Sequence, residues 1–357
     1  MSLRLRSLAL LATMLITAAH AQTAPNDPVD AGLRRAVVES TIREMNALYV
    51  FPDAAKQVEA ALRAQLNAGA FDGAATADAF AERLTEALQA VTRDKHIRVR
   101  HSPTPLEDRQ ADRAPTASER EEYLKSEQAR NFGVERVERL PGNIGYIDLR
   151  GFAPAEWAGD AIAAAMNLVA HSRALIVDLR RNGGGDPATV ALMTSYVFAE
   201  RTHLNDMFWR ENNRIEQFWT QDWVPGKRFD AKKPVYVLTS RRTFSGGEEF
   251  SYNLKNLKRA TLIGETTGGG AHPGDIVKVA THFHVFIPTG RAINPISKTN
   301  WEGTGVEPDV KVPADDALRT AQLLALPAIV AAADDPAVRT ALQARIAELE
   351  KAAPAAK

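Results

Sequence analysis

The 357-residue chain contains no cysteine, which excludes a disulfide framework, a thiolate nucleophile and a zinc–thiolate centre. It has no surplus of either charge: 44 lysines and arginines stand against 44 aspartates and glutamates. Neither the basic face of a nucleic-acid binder nor electrostatic docking to anionic lipid is therefore expected. It lacks any run of about 20 apolar residues, the length a membrane-spanning helix requires. No internal repeat is found, and no cofactor is expected. What the chain does have is an ordinary apolar share, 45 %, sufficient for one large domain or two modest ones with a buried core.

The first residues carry a compact signal. Arg4 and Arg6 give a positive start, Leu8–Ile16 is apolar but too short to span a bilayer, and Ala19-His20-Ala21 is a small-x-small cleavage site. This is the pattern of a secretory signal peptide over residues 1–21, leaving a soluble mature chain, periplasmic or secreted, that begins at Gln22. An uncleaved anchor or a buried N-terminal helix are the competing readings.

After a linker (22–34), helical spacing takes over. Val37, Val38, Ile42, Met45 and Leu48 form one stripe, Val58, Leu62 and Leu66 a second after Pro52, and Phe80, Leu84, Leu88 and Val91 a third. Residues 35–93 thus read as a small helical subdomain. His96–Arg100 alternates like a short strand, and Ser102–Gln128 is polar and proline-containing, so 94–128 reads as a strand followed by a linker or cover loop with a helical piece at its end. From 129 to 315 strands and helices alternate: Ile144–Leu149, Ala174–Leu179, Val235–Thr239 and Thr261–Gly264 are apolar strands. They predict a layered α/β core. Residues 316–357 form an alanine-rich helical tail.

Two places in this core bear on chemistry. Ser245 stands between a strand and a helix and is followed by Gly246 and Gly247, so the backbone can turn sharply and present a hydroxyl where free helix N–H groups favour negative charge. With Glu248 three residues on, the same serine also reads as a capping box, and local sequence alone favours the cap. The run Gly183–Gly185 follows a strand and precedes a helix; it lacks the spacing of a nucleotide-binding loop, and fits either an oxyanion hole or a plain tight turn. His282 and His284 share a strand face but have no convincing third ligand, so they read as surface residues and no metal site is expected.

Four ordered segments, D-L-R-R-N-G-G-G (178–185), T-S-R-R-T-F-S-G-G-E-E-F (239–250), G-E-T-T-G-G-G-A-H-P-G (264–274) and N-W-E-G-T-G-V-E-P-D-V (300–310), resemble the tail-specific, or C-terminal-processing, serine peptidase family. The similarity is to the branch containing interphotoreceptor retinoid-binding protein and the tricorn protease core, and covers residues 35 to 315. The resemblance implies a helical N-terminal subdomain and a crotonase-like spiral of ββα units, without an obvious PDZ segment. It implies Ser245 as nucleophile and the N–H groups of Gly246 and of Gly184 or Gly185 as oxyanion hole. Better-known members use a lysine base in the loop after the G-E dipeptide; here Gly270 stands in its place. The tricorn-like pattern instead matches His96 as base and Glu302 as its carboxylate, with Lys95 where a second serine stands. His272 is the rival base.

Two functions follow from the resemblance: a serine peptidase acting on peptide or protein substrates, or a carrier of an apolar ligand on the same scaffold. Retention of Ser245, His96 and Glu302 together favours the enzyme. The leader generates a direct prediction: N-terminal sequencing of protein exported from a Gram-negative host should begin at Gln22, and Met1 retained in a membrane fraction would contradict it.

Overall fold

The computed structural model describes residues 28–106 and 116–351; the expected signal peptide, and cleavage after Ala21, lie outside these residues. In chain order the helices are α1 (Ala31–Leu48), α2 (Pro52–Asn67), α3 (Ala77–Thr92), α4 (Ala117–Ala129), α5 (Ala155–Val169), α6 (Pro187–Ser195), α7 (Gly246–Asn256), α8 (Ala317–Ala331) and α9 (Pro336–Lys351). The strands are β1 (Arg98–His101), β2 (Val134–Leu140), β3 (Ile144–Leu149), β4 (Ala174–Asp178), β5 (His203–Trp209), β6 (Arg214–Trp219), β7 (Val235–Thr239), β8 (Thr261–Gly264), β9 (Gly274–Ala280), β10 (Phe283–Pro288), β11 (Gly290–Ile293) and β12 (Val310–Lys311). Among the described residues no helix is long and apolar enough to cross a membrane.

Six strands form the central sheet in the order β12-β8-β7-β4-β3-β2, all parallel except the β2–β3 pair. A parallel strand with both faces covered reads as a continuous apolar run, because alternate side chains point to opposite layers. In β4, Leu175 and Val177 join the cluster that holds Phe250 and Leu254 of α7. Ala174 and Ile176 join the opposite cluster, with Ala321 and Leu326 of α8. The alternation therefore fixes helices on both sides of the sheet.

α1–α3 close on the predicted stripes: Val37, Val38, Ile42, Met45, Val58, Leu62, Phe80, Leu84 and Leu88 are all buried. Local chemistry sets where they begin. Asp30 Oδ1 accepts the Leu33 N–H at 2.7 Å, Pro52 occupies the first turn of α2, and Thr76 Oγ1 accepts the Ala79 N–H at 3.3 Å. This subdomain does not close on itself. Its cluster takes in Val279, Phe283, Val285 and Ile287 from β9 and β10, and β1 pairs antiparallel with β10, Val99 opposite Val285. The residues just before β1 are thereby carried onto the α/β core.

The remaining sheet, β11-β5-β6, is antiparallel. His282, expected on a strand face, lies in the turn before β10, and His284 is half-buried and lines a cleft instead of facing solvent. It lies beside Arg100, its partner across the β1–β10 ladder. The long polar segment yields α4, capped by Thr116 and Glu119 in a capping box, so among the described residues no PDZ-sized unit separates the helical subdomain from the core.

Candidate active site

Beyond the end of β7 the chain is held down before it reaches Ser245. Thr243, fully buried, donates its hydroxyl to Leu179 O at 2.8 Å and accepts the Ser240 N–H at 2.9 Å, tying the turn to the end of β4. Ser245 then adopts φ 50°, ψ −119° at the start of α7. A non-glycine residue at positive φ carries strain of about 1–3 kcal/mol and persists only when its surroundings enforce it. The enforcement comes from Glu248, whose Oε2 accepts the Ser245 N–H at 2.9 Å within a capping box. The Glu248 half of the cap and a half-buried serine on a strained turn thus coexist at one position.

The glycine run lies directly against this turn. Gly184 (φ 102°) and Gly185 (φ 138°) adopt backbone conformations that side chains avoid, and there is no room for one: a Cβ on Gly184 would fall 2.6 Å from Ser245 Cβ, and one on Gly185 2.0 Å from Phe152 O. Their N–H groups differ. That of Gly184 is bound at 2.8 Å by Oδ1 of Asn182, a fully buried side chain. Those of Gly185 and Gly246 make no hydrogen bond among the described residues and lie next to each other, Gly185 N being 3.0 Å from where a Gly246 Cβ would be.

The third element is the loop after β8. Glu248 Oε1 accepts from the Thr267 hydroxyl (2.5 Å) and the Gly269 N–H (2.6 Å), and Oε2 from the Gly270 N–H (2.9 Å). Burial raises the Glu248 pKa against these bonds, which act to lower it. Trp301 Nε1 donates to Gly270 O at 2.6 Å. A Cβ at 270, where the resemblance leads one to look for a lysine, would fall 2.2 Å from the Phe244 ring and 2.6 Å from Cε1 of His96. The Phe244 ring and the imidazole of His96 together fill the volume a side chain there would need.

His96 is nine-tenths buried, packed between Phe244 (ring centroids 4.7 Å) and Phe286 (5.8 Å), and neither ring nitrogen has a hydrogen-bond partner among the described residues. The carboxylate closest to it is Asp94, which the sequence reading did not single out. Asp94 Oδ1 accepts the His96 backbone N–H at 3.0 Å and lies 3.6 Å from Nδ1, while Oδ2 lies 2.7 Å from Nδ1 of His272. Burial pushes the Asp94 pKa up, but contacts with His272 and then His96 prevail and hold it at about 2. His272 is buried and committed to Asp94, with Glu302 Oε2 at 3.4 Å. Glu302 Oε2 also accepts the Ala271 N–H at 2.6 Å, whereas Oε1 is buried without a partner among the described residues. Burial, and then the Asp94 charge, push the Glu302 pKa up to about 7.

These groups share a cleft of about 950 Å³ lined by Ser245, Gly246, Gly185, His96 and His272, with Gly184 and Glu302 set behind its wall. Its apolar walls include Phe244, Phe286, Met207 and Trp301. Glu249 lines it too, almost fully buried, and burial raises its pKa to about 8. The structure therefore brings together Ser245, Gly184, Gly185, Gly246, His96, His272 and Glu302 and adds Asp94 and Phe244, whereas His282 lies apart, beside His101. The only sequence signal for Asp94 was its place two residues before His96.

Comparisons with known proteins place the molecule among the peptidases. Residues 143–312 match peptidase family S41, and residues 33–137 match the N-terminal domain of S41 peptidases in eukaryotic IRBP; the chain belongs to peptidase family S41. It is similar to the carboxy-terminal-processing protease of Bartonella bacilliformis, 26 % identical over 179 residues, which are 49 % of this chain and 40 % of that protein. It is also similar to the chloroplastic C-terminal processing peptidase of Tetradesmus obliquus, 30 % identical over 139 residues, 39 % of this chain and 28 % of that one. The matches thus span less than half of either relative. In fold it resembles a solved structure from Parabacteroides merdae assigned as a peptidase (TM-score 0.54, 20 % identity, covering 81 % of this chain and 90 % of that one).

Two predictions follow from the geometry. Ser245→Gly should relieve the positive-φ strain and raise stability by about 1 kcal/mol, since glycine is nearly as good a cap as serine; thermal melting checks this. For Glu249, the native state retains a proton that the unfolded chain releases above the ordinary glutamate range. The unfolded state then binds fewer protons, so this group makes stability fall as pH rises from about 4.5 to 8, by at most about 1.4 kcal/mol per pH unit. Urea melts across that window should show the slope, and Glu249→Gln should flatten it.

Proposed function

We propose that the chain is an exported serine peptidase that hydrolyses peptide bonds through an acyl-enzyme on Ser245, with His96 as general base. The observation that carries this reading is the occupation by His96, with Phe244, of the space a residue-270 side chain would need, beside the strained Ser245 turn. In this mechanism the Ser245 hydroxyl attacks the scissile carbonyl while His96 takes its proton. The N–H groups of Gly246 and Gly185 receive the developing oxyanion, and Gly184 fixes the turn through Asn182. His96 then protonates the leaving amine, and water, activated by the same imidazole, releases the acyl group. Asp94 stabilises the imidazolium directly; Glu302 acts behind it, through Asp94 and His272. The names of the curated relatives favour substrates cut near a protein C-terminus.

The apolar cleft walls support a second reading, a carrier of an apolar ligand on a crotonase-like scaffold. A fluorophosphonate probe separates the two. The peptidase reading expects labelling of Ser245, lost in Ser245→Ala with a fall in kcat of about 10⁶, and lost together with peptide turnover in His96→Ala. His272→Ala should reduce turnover without abolishing labelling. Folded wild-type protein that takes no label would leave the carrier.

A further inference from the structure

We propose that Asp94, His96 and Glu302 form a binding site for a divalent transition-metal ion of the zinc class, and that an ion held there switches off the His96 base. One ligand atom from each residue lies within 4.8 Å of the other two. Two of the three side chains offer buried atoms that nothing among the described residues uses: both ring nitrogens of His96, itself nine-tenths buried, and Oε1 of Glu302. Asp94, 1 % exposed, supplies the third.

The donor set argues for the ion's class. Calcium and magnesium take six or more oxygens, or keep most of their water, and gain nothing from an imidazole. One imidazole with two carboxylates suits zinc, which commonly takes three protein ligands and leaves a fourth position open. Here that position faces the cleft, since His96 lines it. Zinc ligands stand about 3.3 Å apart around the ion, so closure needs side-chain rotations on the order of an ångström. Glu302 Oε1 is free to supply them while Oε2 stays on the Ala271 N–H. The supporting bonds are present as well: His272 donates to Asp94 on the side away from His96, an arrangement that orients a ligating carboxylate. Electrostatics point the same way. Two carboxylates share a buried corner, and a cation between them removes their mutual repulsion.

The switch rests on the reading of His96 as base: a metal on Nδ1, the nitrogen that faces Asp94, leaves the proton of the neutral ring on Nε2, which then has no lone pair with which to accept the Ser245 proton. The binding site itself does not depend on that reading, and the test keeps the two apart. Zinc titrated calorimetrically into the folded mature chain should bind one ion per chain, equally in Ser245→Ala. Binding should weaken at least about tenfold in Glu302→Gln, which keeps the acceptor for Ala271, and be lost in His96→Ala. In wild type, zinc should slow fluorophosphonate labelling and a chelator should restore it. A competing group is His101, a largely buried side chain beside His282 and Asp78. Binding that survives His96→Ala but not His101→Ala, or no heat at all in wild type, overturns the site. Stoichiometric binding with labelling unaffected overturns the switch. If no probe labels the metal-free protein, the peptidase reading fails, and the calorimetry alone still decides the metal site.

Discussion

One buried carboxylate organises the site. Glu248 receives hydrogen bonds from the Ser245 N–H, the Thr267 hydroxyl and the N–H groups of Gly269 and Gly270, so a single rigid group spans the serine turn and the glycine loop. Without it, the positive φ at Ser245 would relax, since nothing in its local sequence favours that conformation. The loop carrying Ala271 and His272 would lose its anchor in the same event. Burying a carboxylate is unfavourable unless its oxygens are satisfied, and here four donors satisfy it. The glutamate of a helix cap has become the bracket on which the serine turn and the glycine loop hang.

A second constraint sits behind His96. Asp94 accepts from His272 and from the His96 backbone, and Tyr49 places its hydroxyl 3.5 Å away. Contacts from the helical subdomain and from the core meet at this one aspartate. Phe244 and Phe286 sandwich the imidazole, fixing the plane of the ring while leaving its nitrogens uncommitted. Apolar packing sets orientation here, and electrostatics set charge.

The sequence made the layered core legible because its strands, such as A-L-I-V-D, are continuous apolar runs bounded by turns, and the N-terminal helices legible because their stripes recur at a single period. The β5–β6 hairpin was not: in R-I-E-Q-F-W, alternation is blurred by Arg214, Glu216 and Gln217, and Ile215 is exposed, so no one-sided pattern exists to read. β2, V-E-R-V-E-R-L, repeats with a period of three and gives no clear strand signal. For the candidate site, Ser245 and Glu302 were accessible through the ordered motifs and His96 through the family pattern. Asp94 was not, because its importance comes from His272, 178 positions away, and residue spacing carries no trace of such a contact. The difference between Gly184 and Gly185 was not legible either: the Asn182 side chain engages the N–H of the first, while that of the second has no partner among the described residues.

The pairing of β1 with β10 has a consequence in time. Arg98–His101 meet Phe283–Phe286 across more than half of the chain, and such long-range ladders close late, after the entropy of a large loop has been lost. During synthesis, His96 and Asp94 are made early, yet they have no fixed place until the segment after Pro273 has been translated and has docked. The serine turn and its glycine neighbours can form within the core alone. A chain still growing therefore carries the Ser245 turn without His96 and Asp94 beside it, and the cleft is complete only with this last large closure of the fold.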